Sequence, residues 1–257
     1  MSDSTTDDVV DHLGELATEA PPELLDRVVA RWTRETGPFA DLYVAFTDMG
    51  ISFARTAWAV GDRDERFLEA YRERFGRPLR PAERSPAGLR AALRSGRADG
   101  LRFDLSGLTP FEREVLHATV AIPRGETRPY AWVAREIGRP RAVRAVGSAL
   151  GRNPVPVLIP CHRVTRSDGR PGNYFYGPAA KVALLRAEDV DLDGVQELAD
   201  AGIFFVGSET TTIVCLPTCR HARRIDPAHR RGFRDMGEAA REGYRPCRDC
   251  RPAALTA

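Results

Sequence analysis

The five cysteines of this 257-residue chain are the residues whose types and spacing point most directly to chemistry. One of them, Cys161, stands alone and is followed directly by His162. The other four form two close pairs, Cys215–Cys219 and Cys247–Cys250. An odd number of cysteines argues against a disulfide framework, as does an N-terminus without the basic and apolar blocks of a secretory signal. The spacing favours four metal ligands and one reactive thiol.

Cys161 has the neighbours that a nucleophilic thiol needs. A thiol reacts as the thiolate, and a pKa of about 8.5 leaves only a few per cent of it ionised at neutral pH. His162 is adjacent, and Glu188 is a carboxylate that could orient the imidazole. A Cys–His–carboxylate relay activates sulfur in this way. A buried structural cysteine is the other interpretation of a Cys-His dipeptide, and sequence alone does not show that the three residues meet.

The second set of cysteines has the spacing of a zinc site. Cys215 and Cys219 are followed after 27 residues by Cys247 and Cys250. Close pairs of this kind are typical of zinc held by four thiolates. A unit of roughly 50 residues has little core, so the metal would supply much of its folding free energy. We therefore predict one Zn²⁺, bound by the four cysteines, and no organic cofactor.

Composition and charge favour a cytoplasmic, nucleic-acid-binding protein. Hydrophobic residues make up 42% of the chain, but no stretch approaches the roughly 18 consecutive apolar residues of a membrane span. Residues 1–50 carry 11 acids and 3 arginines, residues 123–152 carry 7 arginines and 2 glutamates, and residues 215–251 carry 10 arginines and 5 acids. Two basic blocks suit a polyanion, although solvated arginine-rich surface is the alternative interpretation.

Two short helices ahead of Cys161 could position it against a nucleic acid. The first is predicted from a Thr127 cap to Gly138, and the second from about Arg141 to Leu150. Helices joined by such a tight turn form a helix-turn-helix. The second helix combines a narrow face of small apolar residues with a polar face that carries Arg141, Arg144 and Ser148. Such a helix could enter a DNA groove, or it could be packed tightly in a core.

The remaining elements are predicted from hydrophobic periodicity and turn residues. The expected helices cover about 21–32, 64–75, 86–94, 109–120 and 181–188, and the last but one has Thr109 as its cap. The expected strands are Leu42–Thr47, Ile51–Ala57, Leu101–Leu105 and a buried strand at Val155–Ile159. A linker is expected near 189–202, and residues 1–20 are expected to be disordered.

Several motifs in order give the chain a specific family resemblance. The run Asn153–Val164 (NPVPVLIPCHRV) closely resembles the signature of the O6-alkylguanine-DNA alkyltransferases. So do Ile122–Thr127 (IPRGET), Arg144–Gly147 (RAVG), Gly172–Tyr174 (GNY) and Leu184–Glu188 (LLRAE). The similarity covers roughly residues 40–190. Since the motifs occur in the family's order and at its spacing, the resemblance is highly specific.

The resemblance implies catalytic roles for five residues. Cys161 would accept the alkyl group from O6 of guanine, and His162 would act as base through a water molecule. Glu188 would hold the tautomer of that histidine, and Asn153 would brace the relay by hydrogen bonding. Tyr130 would lie beside the flipped guanine and assist proton transfer. Because an S-alkyl thioether cannot be hydrolysed by these groups, each molecule would react once.

The resemblance also implies how DNA is held. Arg144 would enter the duplex in place of the extruded base, and the second helix would lie in the minor groove. Arg141, Ser148 and Arg163 complete the predicted DNA contacts. One departure from the family lies after Gly172–Tyr174, where small residues are usual but Phe175-Tyr176 stand here. Bulk at that loop would narrow the base pocket or rearrange the loop.

The implied fold class is α+β, in three parts. A supporting α/β domain with a ribonuclease-H-like sheet is expected at 1–105. The helix-turn-helix alkyltransferase domain, which is winged-helix-like, is expected at 106–190. A small four-cysteine zinc module is expected at 200–254.

The C-terminal cysteines resemble a second family module. Phe204–Val206, Thr210-Thr211 and Gly243–Pro252, together with the four cysteines, are similar to the zinc module of Ada-type proteins. That resemblance implies that Cys215 accepts a methyl group from a DNA phosphotriester. Two departures weaken it, since Thr212 stands where the family has glycine and Leu216 where it has arginine. A purely structural zinc site therefore stays open.

The expected partner is double-stranded DNA that contains alkylated guanine, the expected state is a monomer, and no membrane is involved. The expected activity is that of a single-turnover methylated-DNA–protein-cysteine methyltransferase. Two alternatives belong to other classes: a non-enzymatic sensor of alkylation lesions, and a DNA-binding regulator that responds to methylation of Cys215.

Overall fold

The N-terminal part of the molecule is a four-stranded sheet. The computed structural model describes residues 29–98 and 100–253. The sheet has the order β3-β2-β1-β4, in which β1 is antiparallel to β2 and parallel to β4, and β2 is antiparallel to β3. The strands are β1 (Ala30–Glu35), β2 (Leu42–Thr47), β3 (Gly50–Thr56) and β4 (Leu79–Pro81).

Two faces of this sheet pack against different layers. A helix, α1 (Asp64–Phe75), covers one face, where Tyr43 and Phe53 pack against Phe67. The opposite face carries Val44 and Ile51 and belongs to a larger core shared with the helices downstream. Because side chains alternate along a strand, β2 can serve both layers. The sheet is therefore joined to the rest of the molecule by a common core.

The prediction of a helix that ends at Trp32 is wrong for the part of it that the structure describes. Residues 30–32 form the start of β1, and its predicted part before residue 29 lies outside the described residues, as does the expected disorder of 1–20. Trp32 packs against Tyr43 and Phe67, with ring centroids 5.7 and 6.0 Å away. Pairing with strands on both sides outweighs the helical spacing of local apolar residues.

The hairpin and α1 confirm their predictions. The turn at Asp48-Met49 joins β2 and β3, and α1 covers the predicted 64–75. Gly50 has a φ of 137°, and a Cβ there would lie 2.6 Å from the Arg102 carbonyl oxygen, so only glycine fits. The helix α2 (Leu89–Ser95) begins three residues later than predicted. The strand predicted at 101–105 is reduced to one bridge, between Phe103 and Ile51.

Three helices form the middle of the chain. They are α3 (Pro110–Val120), α4 (Tyr130–Glu136) and α5 (Val143–Gly151). The cap predicted at Thr109 is present, and the structure adds Glu112 as its partner in a capping box. Thr127 does not cap α4, which corrects the prediction: residues Arg128–Pro129 form a short strand, β5, and Pro129 takes the cap position. The Thr127 hydroxyl bonds to Thr218 of the C-terminal unit instead.

The segment that leads into Cys161 is a compact loop, not the predicted strand. Within residues 155–159 the ladder consists of one bridge between Pro156 and Ile159. Val157 adopts a φ of 75°, which is strained for a β-branched residue. A 3-10 turn, Cys161–Arg163, follows, and β6 (Val164–Thr165) then pairs in parallel with β5. The helix α6 (Pro178–Ala187) begins earlier than predicted.

The C-terminal unit has its own sheet and core. The expected linker contains a helix, α7 (Leu192–Asp200), whose Asp191 cap bonds to the Gly194 amide. After it come β7 (Phe205–Ser208), β8 (Ile213–Cys215), β9 (Arg230–Phe233), α8 (Met236–Arg241) and β10 (Arg245–Pro246), in the sheet order β10-β8-β7-β9. We call residues 203–253 the four-cysteine module. Of the helices that the structure describes, none is long and apolar enough to cross a membrane.

Candidate active site and metal centre

The Cys161 thiol is fixed by a side-chain amide. Asn153 Nδ2 lies 3.1 Å from Cys161 Sγ and 3.0 Å from the Ile159 carbonyl oxygen. The Asn153 Oδ1 atom accepts from the Val155 amide at 2.9 Å. One buried asparagine therefore shapes the loop 153–161 and also donates a hydrogen bond to sulfur, which favours the thiolate.

His162, the residue after the thiol, meets Glu188, as the family resemblance implied. His162 Nε2 lies 3.0 Å from Glu188 Oε1, and both side chains are buried. Within the described part of the chain, His162 Nδ1 is buried without a hydrogen-bond partner. With Nε2 donating to the carboxylate, Nδ1 is the nitrogen that can accept a proton. The histidine is thus oriented as a base with an open acceptor.

Arg163 lies inside this network, which corrects the prediction that it contacts DNA. Its side chain is 3% exposed. Its Nε and Nη2 atoms lie 2.8 and 2.7 Å from the two oxygens of Glu188. The remaining donors reach the carbonyl oxygens of Ile122 and Gly96, each at 2.7 Å. Arg163 holds the carboxylate that holds His162, and its guanidinium is not available to a phosphate.

Burial sets the protonation of the relay. Burial raises the pKa of the Cys161 thiol, against hydrogen bonding from Asn153 and the charge of Lys181. Burial lowers the pKa of His162, against its hydrogen bond to Glu188. Burial alone would raise the pKa of Glu188, but hydrogen bonds from His162 and Arg163 lower it to about 2. At neutral pH the relay rests as thiol, neutral imidazole and carboxylate.

A cavity of about 500 Å³ opens onto the thiol. Its wall includes Tyr130, Cys161, Tyr174 and Phe175, and Arg144 of α5 also lines it. The Tyr130 hydroxyl is 3.5 Å from the Asn173 carbonyl oxygen. Burial, together with the proximity of Cys161, raises the pKa of Tyr130, so its hydroxyl keeps its proton. The cavity has room for a purine base and offers it both a thiol and a hydroxyl.

The outer face of α5 is open where the sequence predicted DNA contacts. Arg141, Arg144 and Ser148 are exposed, and Ala145 is exposed beside them, whereas Val146 and Ala149 are buried. The small-residue face is therefore divided between the core and the surface. Arg144 links the two regions, because it is exposed on α5 and also lines the cavity.

Phe175 and Tyr176, which replace the small residues usual in the resembled family, point in different directions. The Tyr176 ring packs edge-on against Trp58 at 4.8 Å, and its hydroxyl accepts from the Thr56 amide at 3.3 Å. Phe175 lines the cavity and is 49% exposed, with the Arg55 guanidinium 4.9 Å from its ring. The bulk of Tyr176 anchors the loop to the N-terminal sheet, and only Phe175 adds bulk to the cavity wall.

Lys181 is a site residue that the sequence reasoning missed. It is fully buried, and its Nζ atom donates to the carbonyl oxygens of Val164 at 2.5 Å and Asn173 at 3.3 Å. Burial lowers its pKa to about 8, against the opposing effect of Cys161. A signal was present, because Lys181 shares the apolar face of α6 with Leu184 and Leu185.

The four remaining cysteines form a cluster that fits a tetrahedral ion. Their Sγ atoms all lie within 4.8 Å of one another, and all four residues are buried. Zinc–sulfur bonds of about 2.3 Å place the thiolates of a tetrahedral site about 3.8 Å apart. The parallel pairing of β8 with β10 brings Cys215 beside Cys247. Four buried sulfur donors so close together match the thiolate set that zinc prefers.

A second cavity, of about 540 Å³, opens beside Cys215 and carries more basic than acidic side chains. Its charged lining comprises Arg224, Arg245 and Arg248 together with Asp226 and Asp249, and His221 and His229 also line it. Thr212, where the related modules have glycine, has a φ of 51° and so adopts the conformation that glycine takes most readily. The hairpin geometry is therefore kept at that position with a strained threonine. Leu216, at the other departure, is buried.

Comparisons with known proteins assign the segments that hold the two sites to two different family models. The family model described as the DNA-binding domain of 6-O-methylguanine DNA methyltransferase matches residues 110–190. The model described as the metal-binding domain of Ada matches residues 196–253. The chain thus combines a DNA-binding domain with a metal-binding domain.

Several individual relatives are named methylated-DNA–protein-cysteine methyltransferases. A methylated-DNA–protein-cysteine methyltransferase of Salmonella typhimurium is 39% identical over 150 residues, 51% of this chain and 88% of that protein. One from Methanothermobacter thermautotrophicus is 46% identical over 92 residues, 36% of this chain, and there the match spans 51% of the relative, about half its length. The crystal structure of Mycobacterium tuberculosis OGT in complex with DNA has 29% identity, covering 64% of this chain and 98% of that one, with a TM-score of 0.49.

The family models, the relatives and the sulfur cluster lead to one assignment. The chain belongs to the methylated-DNA–protein-cysteine methyltransferase family, and it also carries an Ada-type metal-binding domain whose four cysteines hold one Zn²⁺.

Proposed function

We propose that this protein repairs alkylated DNA by moving an alkyl group from O6 of guanine to Cys161, once per molecule. The observation that carries this proposal is a single arrangement. The Cys161 thiol lies at the wall of a base-sized cavity, Asn153 donates a hydrogen bond to its sulfur, and the adjacent His162 is hydrogen-bonded to Glu188. The family supplies the substrate class, which the geometry alone would leave open.

The transfer is a displacement at the alkyl carbon. His162 takes the thiol proton through a water at Nδ1, and the sulfur electron pair forms the new S–C bond. The C–O6 bond breaks at the same time, and its electron pair stays on the guanine. Guanine takes up one proton as the bond breaks, and this protonation makes it a better leaving group. The Tyr130 hydroxyl is placed to assist that proton transfer. Glu188 and Asn153 act by orienting His162 and the sulfur.

The outer face of α5 is the surface that we assign to the duplex. The alkylated carbon is hidden in the base stack, so the nucleotide must be flipped at a cost of a few kcal/mol. Arg144 is both exposed and at the cavity wall, which suits a side chain that fills the gap left in the duplex. Ser148 is exposed on α5, Arg141 is exposed in the turn before it, and both would contact the backbone.

The architecture carries three further proposals. Helices α4 and α5 serve as a winged-helix-like helix-turn-helix, and the N-terminal sheet with α1 is a ribonuclease-H-like support. The chain divides at about 1–105, 106–190 and 200–254, with the first two parts sharing one core. The protein acts on double-stranded DNA with alkylated guanine as a monomer.

Cys215 is the proposed second acceptor, of a methyl group from a DNA phosphotriester. The basic cavity beside it supports this role, because arginines there can hold the phosphate backbone. Zinc bound by four thiolates keeps a coordinated sulfur nucleophilic. In the displacement, the Cys215 Sγ–C bond forms as the C–O bond breaks, and the phosphodiester leaves as an anion. A purely structural metal site is the competing interpretation.

Peptide mass spectrometry tests both acceptors. The zinc-loaded protein is incubated with a duplex that carries O6-methylguanine, or with one that carries a methyl phosphotriester. One methyl group on the Cys161 peptide is expected from the first, and one on the Cys215 peptide from the second. Cys161→Ser is the control and should bind the first duplex without gaining mass.

The outcomes separate the candidate functions. If Cys161 stays unmodified on bound lesion DNA, the chain is a non-enzymatic lesion sensor and the transfer proposal is wrong. If only Cys215 stays unmodified, the zinc is structural. Methylation of Cys215 that also changes DNA affinity would favour the methylation-responsive regulator.

A further inference from the structure

The four-cysteine module is docked on the segment that leads into α4 through buried, directional contacts. Trp132 Nε1 donates to the Cys250 carbonyl oxygen at 2.9 Å, and Trp132 is 4% exposed. The Thr218 hydroxyl oxygen accepts from the Thr127 amide at 2.9 Å and lies 3.1 Å from Thr127 Oγ1. Both threonines are buried. Buried polar groups on both sides of the contact are hydrogen-bonded to each other, so the module is packed against this segment as well as joined to it by the chain.

Charged groups extend the same interface. The Arg220 amide donates to a Glu126 carboxylate oxygen at 3.3 Å, and the other Glu126 oxygen is held by Arg128 at 2.6 Å. Both members of the Glu126–Arg128 pair are buried. At the far end of α4, Arg251 forms an ion pair with Glu136 at 2.5 Å. The interface therefore runs from the two residues before β5 to the end of α4.

On the module side, the docking groups belong to the metal-binding loops. Thr218 directly precedes Cys219, Arg220 follows it, and the carbonyl that receives Trp132 belongs to the ligand Cys250. In small metal-dependent units, the free energy of metal binding is also free energy of folding. The loops therefore keep this docking shape while the four sulfurs are held together.

On the alkyltransferase side, the docked segment also forms the cavity. Tyr130 and Trp132 are two residues apart on α4, so their side chains point about 200° apart around its axis. Tyr130 lines the cavity, whereas Trp132 faces the module. In addition, β5 pairs with β6, which starts directly after Cys161–Arg163. The same few residues touch the module and place both the hydroxyl and the thiol of the site.

We propose that the four-cysteine module is the rear support of the guanine cavity, with Trp132 and Thr218 as positioning residues for Tyr130 and Cys161. The inference rests on the proposed alkyl transfer, and it adds a coupling between the two halves of the chain. Metal held in the module favours the cavity shape that receives the base. By reciprocity, a lesion bound in the cavity favours retention of the metal by the same factor.

The test uses the zinc-loaded full-length chain and two readouts. One is the rate of methyl transfer from a duplex with O6-methylguanine under single-turnover conditions. The other is the rate of zinc release to a chromogenic chelator. Thr218→Val removes the hydroxyl at constant shape, and Thr218→Ser restores it. Trp132→Phe removes the indole donor, and Trp32→Phe is its matched control, since Trp32 lies in β1 against α1.

Thr218→Val and Trp132→Phe are expected to release zinc faster and to transfer methyl more slowly, each by about fivefold or more. Thr218→Ser and Trp32→Phe should match the wild type in both rates. Faster zinc release with an unchanged transfer rate would overturn the proposal. If Trp132→Phe does not fold, the Thr218 pair decides the question alone.

A third arm separates this proposal from the proposed function. With Cys161→Ser, zinc release is compared on duplexes that contain O6-methylguanine or guanine at the same position. Slower release on the lesion duplex is expected, because the bound base holds the cavity in shape. Equal release rates would overturn the coupling. If wild-type protein transfers no methyl group but the lesion still slows zinc release, the coupling stands and the transfer assignment fails.

Discussion

Cys161 and Cys215 are both buried cysteines beside cavities of similar volume, about 500 and 540 Å³. Their sulfurs have different neighbours. Cys161 has an amide donor at 3.1 Å, and the next residue, His162, is hydrogen-bonded to a carboxylate. Cys215 has three further sulfurs within 4.8 Å. The first sulfur has an amide donor and a histidine as its chain neighbour, and the second has other thiols.

The difference shows two ways to keep a buried sulfur reactive. A lone buried thiol is driven towards its neutral form, so the protein must supply a base that takes the proton as the sulfur reacts. Four thiolates cannot stay so close without a cation, and a bound cation makes a separate base unnecessary. The first solution depends on the precise placement of side chains, and the second depends on metal.

Removal of the metal should therefore produce the largest difference between the two sites. Chelation, or Cys219→Ser, is expected to unfold residues 204–252 first, since metal supplies on the order of 10 kcal/mol to such units. Hydrogen exchange read by mass spectrometry would show amide protection lost there and largely kept in the core around Val115 and Val146. Cys161→Ser is the control and should leave protection in the module unchanged. Full protection of the module without metal would contradict the assignment.

Glu188→Gln probes the dependence of Cys161 on side-chain placement. Transfer to Cys161 should slow by about 10²-fold, because His162 loses the carboxylate that orients it and stabilises its charged form. Stability should fall by about 3 kcal/mol, since Arg163 is left buried without a counter-charge. Single-turnover rates and denaturant unfolding measure the two effects. Glu197→Gln, on the exposed side of α7, is the matched control, and transfer to Cys215 should not change.

Arg144→Ala tests whether only the Cys161 site needs an extruded base. Transfer from duplex DNA to Cys161 should slow about tenfold, equivalent to roughly 1.4 kcal/mol of lost interaction. Transfer from a free O6-alkylguanine base should change much less, and phosphotriester transfer to Cys215 should not change. Arg90→Ala, at an exposed ion pair with Glu35, is the control. Equal losses on duplex and free base would rule out a base-replacing role.

The smallest expected effect is the dependence of Cys161 transfer on pH near neutrality. Burial raises the pKa of Cys161 and lowers the pKa of His162, so thiol with neutral imidazole is the form that reacts. The rate should stay level above the ordinary histidine pKa of about 6.5 and fall only at lower pH, as His162 gains a proton. A tenfold rise in the single-turnover rate from pH 7 to 8 would instead indicate a freely titrating thiol.

The sequence predicted local elements best where one physical signal dominated. The hairpin β2–β3, the helix α1 and the cap at Thr109 were all found. Predictions were wrong where distant contacts decide. Trp32 lies in a strand because two neighbouring strands pair with it, and Thr127 bonds to Thr218, which is 91 residues away. Spacing along the chain carries no record of such partners.

The candidate site shows the same division. The family motif implied a Cys161–His162–Glu188 relay, and the hydrogen bond between His162 and Glu188 agrees with its second half. Arg163 was listed among the predicted DNA contacts, but its guanidinium is enclosed by Glu188 and two carbonyl oxygens. Lys181 was missed because a buried amine is detected only by its position on an apolar helix face.

Lys181 also gives the molecule a property outside repair. It is the only lysine in the chain, and its amine is fully buried between two carbonyl oxygens. Acylating reagents directed at side-chain amines therefore have no lysine to reach on the folded surface, whose cationic side chains are guanidinium and imidazole groups. Labelling of Lys181 would report transient opening of the helix α6 against β6, so this one amine serves as a built-in probe of local unfolding at the heart of the site.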